Sequence, residues 1–101
     1  MNIIIDKEVE DFFKISCQNV SAIEKESSIK VIGEIISTRT NKKIKDDIIL
    51  SVVLYNAEHK VIDSDECRIY ASDFFKETLF SIQFFDIKSK IEGIKVYLKY
   101  Y

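Results

Sequence analysis

The segment Asp47–Asn56, DIILSVVLYN, constrains the possible folds of this chain more than any other. It is rich in β-branched and aromatic residues, which fit the pleated, half-buried surface of a strand. The polar segment Ala57–Lys60 follows, and the apolar pair Val61–Ile62 comes directly after it. Two apolar runs joined by a short polar segment predict a strand, a tight turn and a returning strand, as in an antiparallel sheet.

Apolar and polar residues alternate along most of the chain, and helical spacing is almost absent. The alternating runs predict seven short strands, at 12–18, 28–38, 47–56, 60–63, 67–71, 78–87 and 93–101. A single helical turn is expected at Ser72–Glu77, with Ser72 or Asp73 as its cap. Short strands separated by turn signals are typical of an antiparallel sandwich, so we predict an all-β fold.

The N-terminal residues 1–11 do not continue this pattern. They predict either a short helix capped by Asp6 or a brief strand at Ile3–Ile5, and we expect these isoleucines to pack against an apolar surface. A chain of 101 residues is the size of one domain. The predicted organisation is therefore an N-terminal extension, residues 1–11, followed by a sandwich over residues 12–101.

The net charge of −2 provides no general attraction to nucleic acid or to anionic lipid. The basic loop Arg39–Lys45 has no aromatic residue for base stacking and is followed by Asp46 and Asp47, so we interpret it as a solvated loop.

No apolar run is long enough for a membrane helix, and the N-terminus lacks a basic signal region. Neither nucleic acid nor a membrane span is expected. The sequence as it stands favours the cytoplasm, and an extracytoplasmic location would follow if an export signal had been removed.

Three segments carry a resemblance to a known family. Residues 29–37, IKVIGEIIS, are similar to the early strand of this family, valine-x-glycine-x-valine. Residues 53–61, VLYNAEHKV, are similar to its leucine-tyrosine-aspartate hairpin. Residues 77–82, ETLFSI, are similar to its later strand, which begins with glutamate-threonine. In these respects the chain, from about Phe13 to Tyr100, resembles the FxLYD group of small bacterial and archaeal domains. It differs at Ser37, Asn56 and His59, where the group has asparagine, aspartate and glycine. Asn56 can still cap the turn, whereas His59 would need a positive φ. The resemblance implies a seven-stranded immunoglobulin-like sandwich, usually located outside the cytoplasm.

Two cysteines, Cys17 and Cys67, lie far apart in the sequence and form no C-x-x-C motif. Without a signal segment they are expected to be free, buried thiols, although they could form a disulfide in an exported protein. An immunoglobulin-like strand order would place their strands on either side of the Ser28–Thr38 strand. That separation is about two strand spacings, which is too long for a disulfide.

The candidate chemistry is sparse. His59 is the only histidine, so a catalytic pair would require a nearby nucleophile, and no nucleophile–base pair is evident. The segment Asp63-Ser-Asp-Glu66 offers the carboxylates of Asp63, Asp65 and Glu66, which a hard cation could use. It lacks the glycine and the distant glutamate of a calcium loop, and an acidic turn between two strands is the common explanation for such a segment. A small metal-dependent binder or hydrolase at this turn is the alternative hypothesis. No cofactor and no small-molecule ligand is expected.

The predicted outward faces are unusually apolar for an isolated sandwich. The strand 47–56 and its predicted neighbours would expose one group of apolar and aromatic side chains: Ile49, Val53, Tyr55, Phe85, Tyr97 and Tyr101. A contiguous apolar patch of this kind usually marks a contact surface, and tyrosine is suited to it because it combines a large ring with a polar tip. The N-terminal segment 3–12 could instead cover part of it. We therefore predict a non-enzymatic module that binds a protein partner or a second copy of itself.

Overall fold

Seven strands and one short α-helix form the structure, a computed structural model that describes residues 1–101. In chain order the elements are β1 (Asn2–Ile5), α1 (Lys7–Phe13), β2 (Ile15–Lys25), β3 (Ser28–Ser37), β4 (Ile48–Tyr55), β5 (Val61–Ile69), a 3₁₀ turn (Ala71–Asp73), β6 (Glu77–Phe84) and β7 (Gly93–Tyr100). The prediction of an all-β protein is confirmed.

The strands form two sheets. One has four strands in the order β1-β7-β4-β5, and the other has three in the order β2-β3-β6. Every pair among β2 to β7 is antiparallel, whereas β1 runs parallel to β7, with Ile3 beside Ile94. The parallel pair needs the long connection that separates the two ends of the chain, because parallel strands cannot be joined by a tight turn.

The core lies between the two sheets, and alternation along each strand selects its members. On β4, Leu50, Val52 and Leu54 are fully buried, and their alternate neighbours point to the other side of the sheet. Side chains from both sheets complete this cluster, among them Val31, Ile35, Phe80, Ile82, Ile94 and Val96. Gly33 is needed here, since a Cβ atom at this position would lie 2.6 Å from the ring of Phe80.

The N-terminal residues form both a strand and a helix. Asp6 separates them, and its Oδ1 atom accepts hydrogen bonds from the amides of Glu8 (2.9 Å) and Val9 (3.4 Å) as an N-cap. The helix ends at Phe13, which is buried in the core, and Lys14 follows with a left-handed φ of 60°. The extension therefore belongs to the folded unit, because β1 pairs with β7 and α1 contributes to the core.

Three local predictions are wrong. The strand predicted at 12–18 begins only at Ile15, because α1 continues to Phe13, and it extends to Lys25. Residues 60–63 and 67–71 were expected to form separate strands around an acidic turn, but a single strand, β5, runs from Val61 to Ile69. The helical turn expected at Ser72–Glu77 is a 3₁₀ turn at Ala71–Asp73 that has no local side-chain cap. Its first amide, that of Ala71, donates instead to Asp47 Oδ1 at 2.8 Å, across 24 residues of sequence.

Candidate partner-binding face

The outer side of the four-stranded sheet carries most of the residues predicted to bind a partner. Strand β4 contributes Ile49, Val53 and Tyr55, and its neighbour β7 contributes Tyr97. We call this surface the tyrosine face; its members are Ile4, Ile49, Ser51, Val53, Tyr55, Ser64, Glu66, Arg68, Lys95, Tyr97 and Lys99. The alternation of each strand assigns these residues to the side opposite the core.

Phe85 does not lie on this face, which corrects the predicted group of six. It follows β6, and β6 pairs with β3 in the other sheet. Both sides of β4 are already occupied, by β5 and by β7, so β6 cannot be its neighbour. Phe85 is 65% exposed on the opposite side of the molecule. Tyr101 comes directly after β7, at the edge of the face.

Tyr55 and Tyr97 meet at the centre of the face. Tyr55 lies opposite Gly93 and Tyr97 lies opposite Ser51, so the two rings lean towards each other across the Val53–Lys95 pair. Their hydroxyl oxygens are 3.0 Å apart. This hydrogen bond lowers the pKa of Tyr97, and Lys95, whose Nζ lies 4.9 Å from the ring of Tyr97, lowers it further. The same hydrogen bond raises the pKa of Tyr55.

Ile49, by contrast, is covered. Only 7% of it is exposed, and its neighbours across the strands are Arg68 and Lys99. The guanidinium of Arg68 lies 3.3 Å from the ring centroid of Tyr101 and forms two hydrogen bonds, of 2.6 and 3.0 Å, with Asp47 Oδ2. Together with the bond from Ala71, these contacts keep the pKa of Asp47 below its ordinary value of 3.8. This end of the face is therefore closed by its own side chains.

The three acidic residues proposed for a metal do not form one site. Asp63 and Asp65 lie opposite core-facing residues of β4, whereas Glu66 lies opposite Ser51 on the tyrosine face. Glu66 accepts a hydrogen bond from Ser51 Oγ at 3.2 Å and lies 3.6 Å from Lys99 Nζ. No group of three or more histidine, cysteine or acidic residues is close enough to hold a metal ion. Inward-pointing acids on an outer strand such as β5 discourage pairing with another chain.

The turn after β4 contains Asn56 and His59, two of the three positions at which the sequence differs from the FxLYD pattern that it resembles. Asn56 Oδ1 accepts hydrogen bonds from the amides of Glu58 and Lys60, both at 3.0 Å, which confirms that Asn56 caps the turn. His59 has a φ of 60°, as predicted for the position that favours glycine. Its ring lies 6.5 Å from that of Tyr55, and no hydrogen bond joins it to a hydroxyl, thiol or carboxylate. The residues therefore assemble no catalytic pair.

Two open clefts lie on the tyrosine face, on either side of the Tyr55–Tyr97 pair. The first, about 480 Å³, lies between β1, β7 and the turn; it is lined by Asn2, Ile4, Tyr55, Asn56, Ala57, His59, Glu92, Gly93, Ile94 and Lys95. We call it the Gly93 cleft. The second, about 550 Å³, is lined by residues that include Val53, Glu66, Tyr97 and Lys99. Ile4, Gly93 and Lys95 were not among the predicted residues, because their proximity depends on the β1–β7 pairing.

Both cysteines are free thiols. Cys17 lies on β2, and Cys67 lies on β5 in the other sheet, so the expectation that their strands flank β3 is wrong. Burial, and then the nearby Glu10, raise the pKa of Cys17 to about 12. Burial also raises the pKa of Cys67, with Asp65 and Glu66 adding to the effect. A thiol that stays protonated is a poor nucleophile, so neither cysteine is activated for catalysis.

None of the helices is long and apolar enough to cross a membrane; α1 has only seven residues. Comparison of the chain with protein-family models, with curated proteins and with solved structures finds no match.

Proposed function

We propose that the protein is a non-enzymatic interaction module that binds a protein partner, or a second copy of itself, through the tyrosine face. The observation that carries this proposal is the Tyr55–Tyr97 hydroxyl pair, with an open cleft on each side. Paired rings held by a hydrogen bond present a large, ordered surface that loses little conformational entropy on binding. Tyrosine is enriched at protein interfaces for this reason.

The exposure of the face supports the same function. Tyr97 is 39% exposed and Ile4 is 53% exposed, although both lie on paired strands of the sheet. Polar groups surround them, namely Lys95 and the Ser51–Glu66–Lys99 contacts. An apolar and aromatic centre with a polar rim is the usual organisation of a protein–protein interface.

The alternative, a metal-dependent binder or hydrolase, loses its basis in the geometry. Asp63 and Asp65 lie on one side of β5 and Glu66 on the other, so the three carboxylates cannot share one ion. The Glu66 carboxylate is engaged by Ser51 and Lys99. We therefore do not extend that hypothesis.

We also propose an immunoglobulin-like arrangement related to the FxLYD group. In the order β2-β3-β6 and β7-β4-β5, strands that pair are often not consecutive in the chain, as in Greek-key sandwiches. In this interpretation β2 to β7 correspond to strands A, B, C, C′, E and F. The N-terminal strand β1 then occupies the place of strand G beside strand F, but runs parallel to it.

Light scattering with purified protein tests self-association. Tyr55→Ala and Tyr97→Ala should lower the mass if the wild type associates, and Leu79→Ala is the matched control because it removes an exposed apolar side chain from the other sheet. If the wild type is monomeric at all concentrations, the same variants are compared in a pull-down from the native host. Loss of a specific band with the tyrosine variants alone supports the proposal. Identical behaviour of all four proteins in both assays rejects it.

A further inference from the structure

The second glycine of the chain, Gly93, has no role that the fold itself explains. The chain contains only two glycines, and neither has a positive φ. The positive-φ positions are filled by other residues: Lys14, Asn19, Lys42, His59, Lys76 and Asp86. Glycine is therefore not used in this chain for its conformational freedom.

Close packing explains Gly33 but not Gly93. A Cβ atom at Gly33 would collide with Phe80, whereas one at Gly93 would lie 3.9 Å from the Asn2 carbonyl oxygen and 4.0 Å from Tyr55 Cβ. These are ordinary contact distances, so an alanine fits at position 93. Glycine weakens a strand because it has a large conformational entropy to lose and no side chain to pack. Its use in a strand often marks a place where a ligand or another chain approaches closely.

Gly93 lies among the residues that line the Gly93 cleft, at the start of β7 and opposite Tyr55. The missing side chain leaves space between Ile4, Tyr55 and the aliphatic part of Lys95. The ring of His59 approaches Tyr55 edge-on from the turn. An apolar and aromatic lining around a small backbone floor is suited to a flat ring, since aromatic rings favour offset or edge-to-face contacts.

The lining of the cleft contains one acidic and one basic side chain, Glu92 and Lys95, which differ in their contacts. Its one acidic residue, Glu92, forms an ion pair with Lys90 at 3.3 Å. Lys95 forms no ion pair, and its Nζ lies over the ring of Tyr97. A carboxylate placed over the cleft would therefore find an available ammonium group.

From these two observations we propose that the Gly93 cleft receives an acidic–aromatic segment of the partner protein. Its aromatic ring lies over Gly93 against Tyr55 and Ile4, and a neighbouring carboxylate pairs with Lys95. The inference rests on the proposed function and names the chemistry of the partner. A buried aromatic anchor beside a charged contact is the usual form of an interface hot spot.

The test uses capped tetrapeptides as probes and backbone amide NMR shifts of the whole protein as the readout. A peptide containing Asp-Phe should shift the amides of Tyr55, Gly93 and Lys95. Replacing its aspartate by lysine should weaken binding about tenfold, the effect of losing one charge-assisted contact. Replacing its phenylalanine by alanine should abolish the shifts. No shift at the cleft with millimolar Asp-Phe peptide would overturn the proposal.

Gly93→Ala and Gly93→Val fill the floor of the cleft stepwise and should progressively abolish peptide binding. The alanine variant keeps the assay interpretable if valine does not fold, because its Cβ fits without a clash. Ser21→Val, on the other sheet, is the matched control and should bind as the wild type does. Binding that survives both Gly93 variants rejects the cleft as the site.

Two results separate this inference from the proposed function. A partner or a self-complex that is lost with Tyr97→Ala but retained with Gly93→Val supports the tyrosine face and rejects the cleft. Self-association that is lost with both Gly93→Val and Phe85→Ala identifies the occupant as the exposed Phe85–Asp86 segment of a second copy, and rejects a separate partner protein.

Discussion

The hydroxyl groups of Tyr55 and Tyr97 lie 3.0 Å apart on the surface of the sheet, although 42 positions separate the two residues in the chain. Neither ring is buried in the core, so core packing does not account for their alignment. The hydrogen bond fixes both rings in one arrangement between the two clefts. If the proposed partner binds here, a surface ordered in this way has less conformational freedom to lose.

The tyrosine pair should be visible in a titration. The hydrogen bond from Tyr55 is the main cause of the lowered pKa of Tyr97. Tyr55→Phe removes that bond, so the pKa of Tyr97 should rise towards its ordinary value of 10.0. NMR of ring carbons against pH measures it, with Tyr70→Phe as the control. An unchanged titration of Tyr97 in Tyr55→Phe would contradict the hydrogen bond.

The Asp47–Arg68 pair should make stability depend on pH in the acid range. The pKa of Asp47 is lowered by the amide of Ala71 and by Arg68, so its stabilising effect is present above pH 3.8. That effect disappears as pH falls through the lowered pKa of the folded state. At pH 6 the melting temperature of Asp47→Asn should therefore be lower than that of the wild type, and this difference in melting temperature should shrink below about pH 3.8. Thermal unfolding followed by circular dichroism measures it.

The exposed neighbour Asp46 provides the control, because it forms no ion pair. Asp46→Asn should match the wild type throughout the same pH series. A constant difference between Asp47→Asn and the wild type at every pH would show that the effect is not electrostatic.

The two glycines should respond oppositely to the same substitution. Gly33→Ala places a Cβ atom 2.6 Å from the ring of Phe80, and overpacking of this kind costs about 1–3 kcal/mol. Gly93→Ala meets no close atom and should be neutral or raise the free energy of unfolding by up to about 1 kcal/mol. Urea denaturation of the two variants tests this pair. A large loss of stability in Gly93→Ala would show that this glycine serves the fold.

His59 adopts a backbone conformation that favours glycine, with a φ of 60°. A non-glycine residue in this conformation destabilises the folded state by about 1–2 kcal/mol. Glycine avoids this strain, but it also stabilises the unfolded chain through its larger conformational entropy, so the net gain is smaller. His59→Gly should therefore raise the free energy of unfolding by about 0.5–1 kcal/mol. Ala57→Gly in the same turn is the control and should not stabilise the protein. Destabilisation by His59→Gly would mean that its contact with Tyr55 outweighs the backbone strain.

The thiols should react slowly and in a defined order. Burial raises the pKa of Cys17 to about 12, and it raises the pKa of Cys67 as well. Because the thiolate is the reactive form, alkylation at pH 8 should be slower for both than for a free thiol, with Cys67 reacting before Cys17. Mass spectrometry of proteolytic fragments over time resolves the two sites. Faster reaction of Cys17 would contradict its burial.

Local patterns were sufficient for strands β3, β4, β6 and β7 and for the choice of their core residues. Leu50, Val52 and Leu54 face the core because strand alternation is a property of neighbouring residues. The cap formed by Asn56 and the positive φ of His59 were predicted from the resemblance of this turn to the FxLYD hairpin, and a turn involves only a few adjacent residues. The prediction of a turn at the acidic segment Asp63–Glu66 was wrong. A run of charged residues is typical of a turn, but here the pairing of β5 with β4 keeps the segment extended.

The sequence by itself determined which side chains point inward and which point outward along each strand. Only the tertiary structure decided which outward residues meet, because strand pairing depends on packing and chain closure over long distances. In the tertiary structure Phe85 follows a strand of the other sheet, the hydroxyl groups of Tyr97 and Tyr55 are in contact, and β1 pairs with β7. The Gly93 cleft exists through that last pairing, which joins residues from opposite ends of the chain and leaves no local signal.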